Sequence, residues 1–131
     1  MKEYIFRIHP GMDLKREIEK RVNQENIKAG CILSIVGSLK QANLRLADGK
    51  TEKKMVENFE IVSATGTVSI KGCHIHLGLA RKKGIVIGGH LKENSFINTT
   101  AEIVILEFEN LEFSRELDKS TGYKELIIKE K

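Results

Sequence analysis

One i, i+4 apolar stripe, Leu14, Ile18 and Val22, is set in a chain that otherwise alternates apolar and polar residues over short runs. Asp13 stands ahead of the stripe as an N-cap, and Lys15, Arg16, Glu17, Glu19, Lys20 and Arg21 take the opposite face. The spacing predicts one long amphipathic helix that runs to Asn26–Lys28 and stops near Gly30. Such a helix has a single apolar face and must lie on something flat.

The rest of the chain supplies the flat surface. Tyr4–Ile8 alternates as a first strand, and His9-Pro10-Gly11 breaks it, with His9 read as a turn residue. Cys31–Val36 is an apolar run of the kind buried on both faces of a sheet, bent by Gly37-Ser38. Lys40–Ala47 alternates toward a polar loop at Asp48-Gly49-Lys50. Further strands are expected at Phe59–Val62, in two histidine-bearing segments, over Ile97–Phe108, and at Leu111–Phe113 and Leu126–Ile128. The fold class is therefore α+β: a largely antiparallel sheet packed with one long helix. At 131 residues the size is that of a single domain, 1–131.

Several classes are set aside at this point. No apolar run approaches the roughly 20 residues of a membrane span. Met1–Arg7 lacks the features of a secretory signal, so the expected location is the cytoplasm, with Cys31 and Cys73 as buried thiols. The net charge of +4 comes from 22 basic and 18 acidic residues without a basic arm or tail, which fits a solvated surface as well as weak attraction to nucleic acid.

The chemistry concentrates in Gly72-Cys73-His74-Ile75-His76-Leu77 and Ile87-Gly88-Gly89-His90-Leu91. His74 and His76 are two apart, so on a strand they share a face, about 6–7 Å apart. Cys73, Ile75 and Leu77 take the other face. Lys82-Lys83-Gly84 suits a three-residue hairpin loop with a left-handed glycine last. Counting outward from that loop opposes His90 to His76, with Cβ atoms roughly 5 Å apart. A two-residue loop would oppose His90 to Ile75 and turn it away. Three converging imidazoles can share a metal at about 2.0–2.1 Å each, and the donor set suits zinc as well as iron, nickel or copper. Three histidines plus one open position is the pattern of a catalytic or ligand-exchanging zinc. The plain alternative is a set of polar residues hydrogen-bonded on an exposed sheet face. Gly88 and Gly89 favour a close approach beside His90.

Arg45, between Leu44 and Leu46, is a candidate for binding an anion or a small carboxylate. Glu102 reads as a general base or an ion-pair partner, the latter being the commoner use. Thr121-Gly122-Tyr123 reads locally as a turn.

The ordered set Val36-Gly37-Ser38-Leu39, Leu44-Arg45, Phe59-Glu60-Ile61, Ser69 to His76, Gly88-Gly89-His90-Leu91, Ala101-Glu102-Ile103-Val104 and Thr121-Gly122 resembles the PPC domain, the plants and prokaryotes conserved domain. The resemblance covers nearly the whole chain. It implies an antiparallel sheet with one long helix, assembly as a homotrimer, and His74, His76 and His90 as the matched histidines of a zinc site. Gly37, Ser38, Gly88, Gly89, Glu102, Thr121 and Gly122 are the supporting motif positions. Plant members bind DNA through an AT-hook, which this chain lacks, since Pro10 is its only proline. Any DNA association implied by the resemblance is therefore one without an AT-hook. Asn58, where the plant partner motif has arginine, and Ser95-Phe96-Ile97, where a Gly-Cys-like pair is usual, are further departures. The fold is also similar to that of acetolactate decarboxylase, a zinc enzyme with an H-x-H and a distant histidine, which implies a decarboxylase- or lyase-like enzyme as the second functional reading.

Overall fold

The computed structural model describes all 131 residues. Strand β1 (Lys2–Ile8) leads into helix α1 (Leu14–Gln24), and eight strands follow: β2 (Gly30–Arg45), β3 (Glu52–Met55), β4 (Phe59–Ser69), β5 (Gly72–Ala80), β6 (Val86–Leu91), β7 (Phe96–Glu107), β8 (Leu111–Leu117) and β9 (Lys124–Glu130). Seven strands form one antiparallel sheet in the order β1-β7-β2-β4-β5-β6, with β3 beside β2. β6 also pairs with the end of β2, so β2, β4, β5 and β6 close on themselves. β8 and β9 make a separate hairpin. No helix is long and apolar enough to cross a membrane.

The helix is shorter than its spacing predicts. Asp13 caps it as expected, its Oδ1 accepting from the Arg16 N–H at 3.2 Å, which stabilises the end by about 1 kcal/mol. The stop comes four residues before Gly30, at Asn26, which takes the left-handed position (φ 52). The Asn26 N–H then donates to the Asn23 carbonyl and the Ile27 N–H to the Val22 carbonyl, a Schellman closure with its usual apolar contact between the bonded ends. Asparagine tolerates that conformation through its short polar side chain, and so replaces glycine as the terminator. Leu14, Ile18, Val22 and Ile27 are fully buried against the sheet, each contributing roughly 1.5–3 kcal/mol.

One further sequence expectation is corrected. Cys31–Val36 is not buried on both faces: Leu33 and Val36 are 60% and 59% exposed. Their side of the sheet carries no covering layer within the chain, while Ile32 and Ile35 face the core. Gly37-Ser38 makes the strand irregular, as its sequence suggests, without ending it. β2 continues to Arg45 and absorbs the irregularity as register shifts against β7. That length lets β2 meet β4, β7, β3 and finally β6, and so carries Arg45 to the histidines. β3, over the charged residues Glu52-Lys53-Lys54, had no sequence signal, since a short exposed edge strand needs no apolar pattern.

The β8–β9 hairpin is held by few anchors. Phe113 is buried and its N–H donates to the Lys28 carbonyl at 2.8 Å. Arg115 donates to Thr67 Oγ1 at 2.9 Å, and Lys28 pairs with Glu112 at 3.6 Å.

Candidate metal centre

The loop after β5 sets the register of the centre. The Arg81 N–H donates to the Ile85 carbonyl at 2.8 Å, and Gly84 takes φ 87, where only glycine is unstrained. The three-residue loop is therefore present, and His90 is the direct partner of His76. Gly88 and Gly89 fit β6 between its neighbours. A Cβ on Gly88 would lie 2.6 Å from the Leu77 carbonyl, and one on Gly89 2.7 Å from the Arg45 carbonyl.

Cross-strand pairing extends this into a row. Arg45 pairs with His90, His90 with His76, and His76 with Thr65, while His74 pairs with Thr67 one step along. Ile75 and Leu77 turn to the core, so the histidines occupy the opposite face. His74 and His76 bring their Nε2 atoms to 3.0 Å, and the ring centroids of the three histidines lie 4.7, 4.9 and 5.6 Å apart. One nitrogen from each lies within 4.8 Å of the others, a group that can hold a metal ion. Three ligands at about 2.0–2.1 Å from a tetrahedral ion stand about 3.4 Å apart, so small ring rotations bring these nitrogens into place.

The electrostatics keep His74 and His90 in the ligating form. Burial, with the Arg45 guanidinium beside it, pushes His90 down to about 4. Burial, then His76 and Arg115, lowers His74. Neutral imidazole is the form that ligates metal. Cys73 does not join them: burial pushes its thiol up to about 11, and it packs against the core. Both cysteines are unpaired.

Arg45, singled out in the sequence, stands beside the triad, its Nη2 3.3 Å from His90 Nδ1. The supporting positions divide. Gly88 and Gly89 line the centre, whereas Gly37 and Ser38 lie against β7, where Ser38 Oγ accepts from the Thr99 N–H. Glu102 is outside the centre on β7, across from Arg7. It forms no ion pair, because the Arg7 guanidinium is turned to Thr100 Oγ1 and the Thr99 carbonyl. Thr121 and Gly122 form the tip of the β8–β9 turn, with Gly122 at φ 79, and the turn sets Tyr123 over Arg45, 5.8 Å from guanidinium carbon to ring centroid.

Two residues near the histidines had no sequence signal as site residues, Arg115 and Tyr123. With Lys124 and Glu125 they roof a cleft of about 460 Å³ whose floor includes Arg45, His74, His76 and His90. A second cleft of about 420 Å³ adjoins it on the side of Asp48 and Gly49. Strand alternation marks β8 and β9 but not where their hairpin docks, so these contacts are tertiary information.

Fold and centre together define an antiparallel β protein with a three-histidine group able to take a metal. The Plants and Prokaryotes Conserved (PCC) domain matches residues 1–109, and the chain belongs to that family, the PPC domain. Bifunctional protein GlmU of Synechococcus sp. strain JA-2-3B'a(2-13) is 44% identical over 128 residues, 98% of this chain and 20% of its own length. The chain thus spans about a fifth of that relative. A hypothetical protein of Salmonella cholerae-suis is 32% identical with a TM-score of 0.96, over 99% of this chain and 94% of its own. The metal-containing protein AF0104 of Archaeoglobus fulgidus is 31% identical with a TM-score of 0.86, over 97% and 94%. A Bacteroides thetaiotaomicron protein whose name proposes DNA binding is 22% identical with a TM-score of 0.86, over 95% and 91%, a likeness of fold.

Proposed function

We propose that this chain is a homotrimeric PPC-domain binding module of the cytoplasm whose working centre is a divalent metal held by His74, His76 and His90. The observation that carries the reading is the convergence of three imidazoles on one sheet face. A donor set of three imidazoles with no thiolate or carboxylate fits zinc. Three protein donors leave one position for an exchangeable ligand, and a bound metal supplies a Lewis acid there. The metal-containing Archaeoglobus relative supports the same reading. Elemental analysis of the purified chain tests it, with one zinc per chain expected and none in His90→Ala.

Self-assembly is supported by the uncovered face of the main sheet, where Ile5, Leu33, Val36 and Val62 are each more than half exposed. A solution mass of three 14.8 kDa chains is expected by light scattering.

The cleft over the histidines favours a small ligand, which keeps the second reading, a zinc-dependent enzyme of decarboxylase or lyase type acting on a carboxylate-bearing metabolite. DNA association rests on the net charge of +4 and on the Bacteroides relative of the same fold. It calls for duplex binding that weakens steeply with salt, and a gel without any shift at low salt removes it.

A further inference from the structure

Of the six arginines, Arg16, Arg21 and Arg81 pair with carboxylates, and Arg7 is held by Thr99 and Thr100. The two that border the histidine cleft, Arg45 and Arg115, have no carboxylate partner, and both are half-buried. They reach the cleft from different elements, Arg45 from the end of β2 beside His90 and Arg115 from β8 above Thr67 and His74. Lys124 adds a third positive charge at the rim, and Glu125 is the one carboxylate among the cleft residues. Leaving the histidines aside, the charged side chains of this cleft sum to +2, from three cations and one anion.

The contact between Arg45 and His90 constrains how such a site is used. A guanidinium only donates, so at 3.3 Å it takes the lone pair of His90 Nδ1. A metal on Nδ1 would occupy that lone pair. A metal on Nε2 would leave the neutral ring with its proton on Nδ1 and nothing to accept. In either case metal ligation by His90 and the Arg45 bond exclude each other.

We propose that the β8–β9 hairpin makes the centre a binding site for a small oxyanion, a carboxylate or phosphate group held between Arg45 and Arg115 beside the triad, and that metal ligation by His90 releases Arg45 to bind it. The inference rests on the metal reading above and adds the ligand class and the order of binding. Guanidinium forks match both anions, and reciprocity makes metal and anion tighten each other. The cleft volume of about 460 Å³ suits a small metabolite.

The test is calorimetric titration of malate and, separately, inorganic phosphate into zinc-loaded chain, metal-free chain and zinc-loaded Arg115→Gln, with zinc content and thermal melting followed for each. The expected result is that at least one anion binds the zinc-loaded chain, tenfold or more weaker without zinc and tenfold or more weaker in Arg115→Gln, whose zinc content is unchanged. Malate alone, or phosphate alone, assigns the source of the oxyanion. Binding of neither anion overturns the proposal, as does equal binding by Arg115→Gln, and equal binding with and without zinc overturns the order. A chain that takes up no zinc refutes the metal centre instead. The two-arginine site is then read on the metal-free chain, where a tenfold loss in Arg115→Gln upholds it and no loss overturns it.

Discussion

His76 and His90 are direct cross-strand partners, and the loop Lys82-Lys83-Gly84 is what opposes them. Side chains on a strand alternate faces, so a register shift of one residue turns the partner away. Deleting Ile85 while the loop is kept should therefore place Leu77 opposite His90 and disperse the centre while β5 and β6 still pair. The expected outcome is loss of zinc uptake with circular dichroism close to that of the parent chain.

The glycine pair before His90 gives a second outcome. In Gly89→Ala the new methyl meets the Arg45 carbonyl at 2.7 Å and Leu44 Cβ at 3.2 Å, and neither is the free end of a flexible side chain. Overpacking of this kind costs about 1–3 kcal/mol, a fall of roughly 3–10 °C in Tm for a domain of this size. The substitution also pushes β6 away from β2, so zinc should bind more weakly. Thermal melting and metal titration of the variant check both effects.

The metal-free chain should lose stability in acid through His90. Its folded value, about 4, lies below the ordinary 6.5, so between these pH values the unfolded chain binds more protons than the folded one. The stabilisation is complete above about pH 6.5 and is lost as the pH falls toward 4. His90→Gln cannot take up that proton, so its Tm should fall less over the same window. Melting curves of both chains from pH 7 to pH 4 read the difference.

How much of this was legible in the sequence depends on the range of the interactions. The histidine hairpin was, because Gly84 fixes a turn and strand alternation then fixes every face, so the pairing of His76 with His90 follows from counting. The helix stripe was legible too, but not its end, since Asn26 replaces glycine by a local hydrogen-bonding choice. Leu33 and Val36 were misread because an apolar run does not reveal whether anything covers its second face. Arg115 could not be assigned, and Tyr123 was legible only as part of a turn. They reach the cleft only because Phe113 docks the terminal hairpin beside Lys28, and no periodicity encodes that docking.

That docking is itself testable. Phe113 is the one buried apolar residue of the β8–β9 hairpin, and truncating a buried phenylalanine costs about 3–5 kcal/mol. In Phe113→Ala the hairpin, with few other anchors, should open locally while the main sheet remains folded. Hydrogen exchange is expected to speed up across residues 111–130 and to stay slow in β2 and β7. Uniform acceleration over the whole chain would mean that hairpin and sheet unfold as one unit.

The centre at His74, His76 and His90 is tested most directly by metal stoichiometry. Elemental analysis of the purified chain, before and after dialysis against a chelator and reloading, should give one zinc per chain, with stoichiometric loss in His90→Ala and no loss in Cys73→Ser. A chain that neither carries nor takes up metal, or a His90→Ala variant that retains it, would contradict the three-histidine centre.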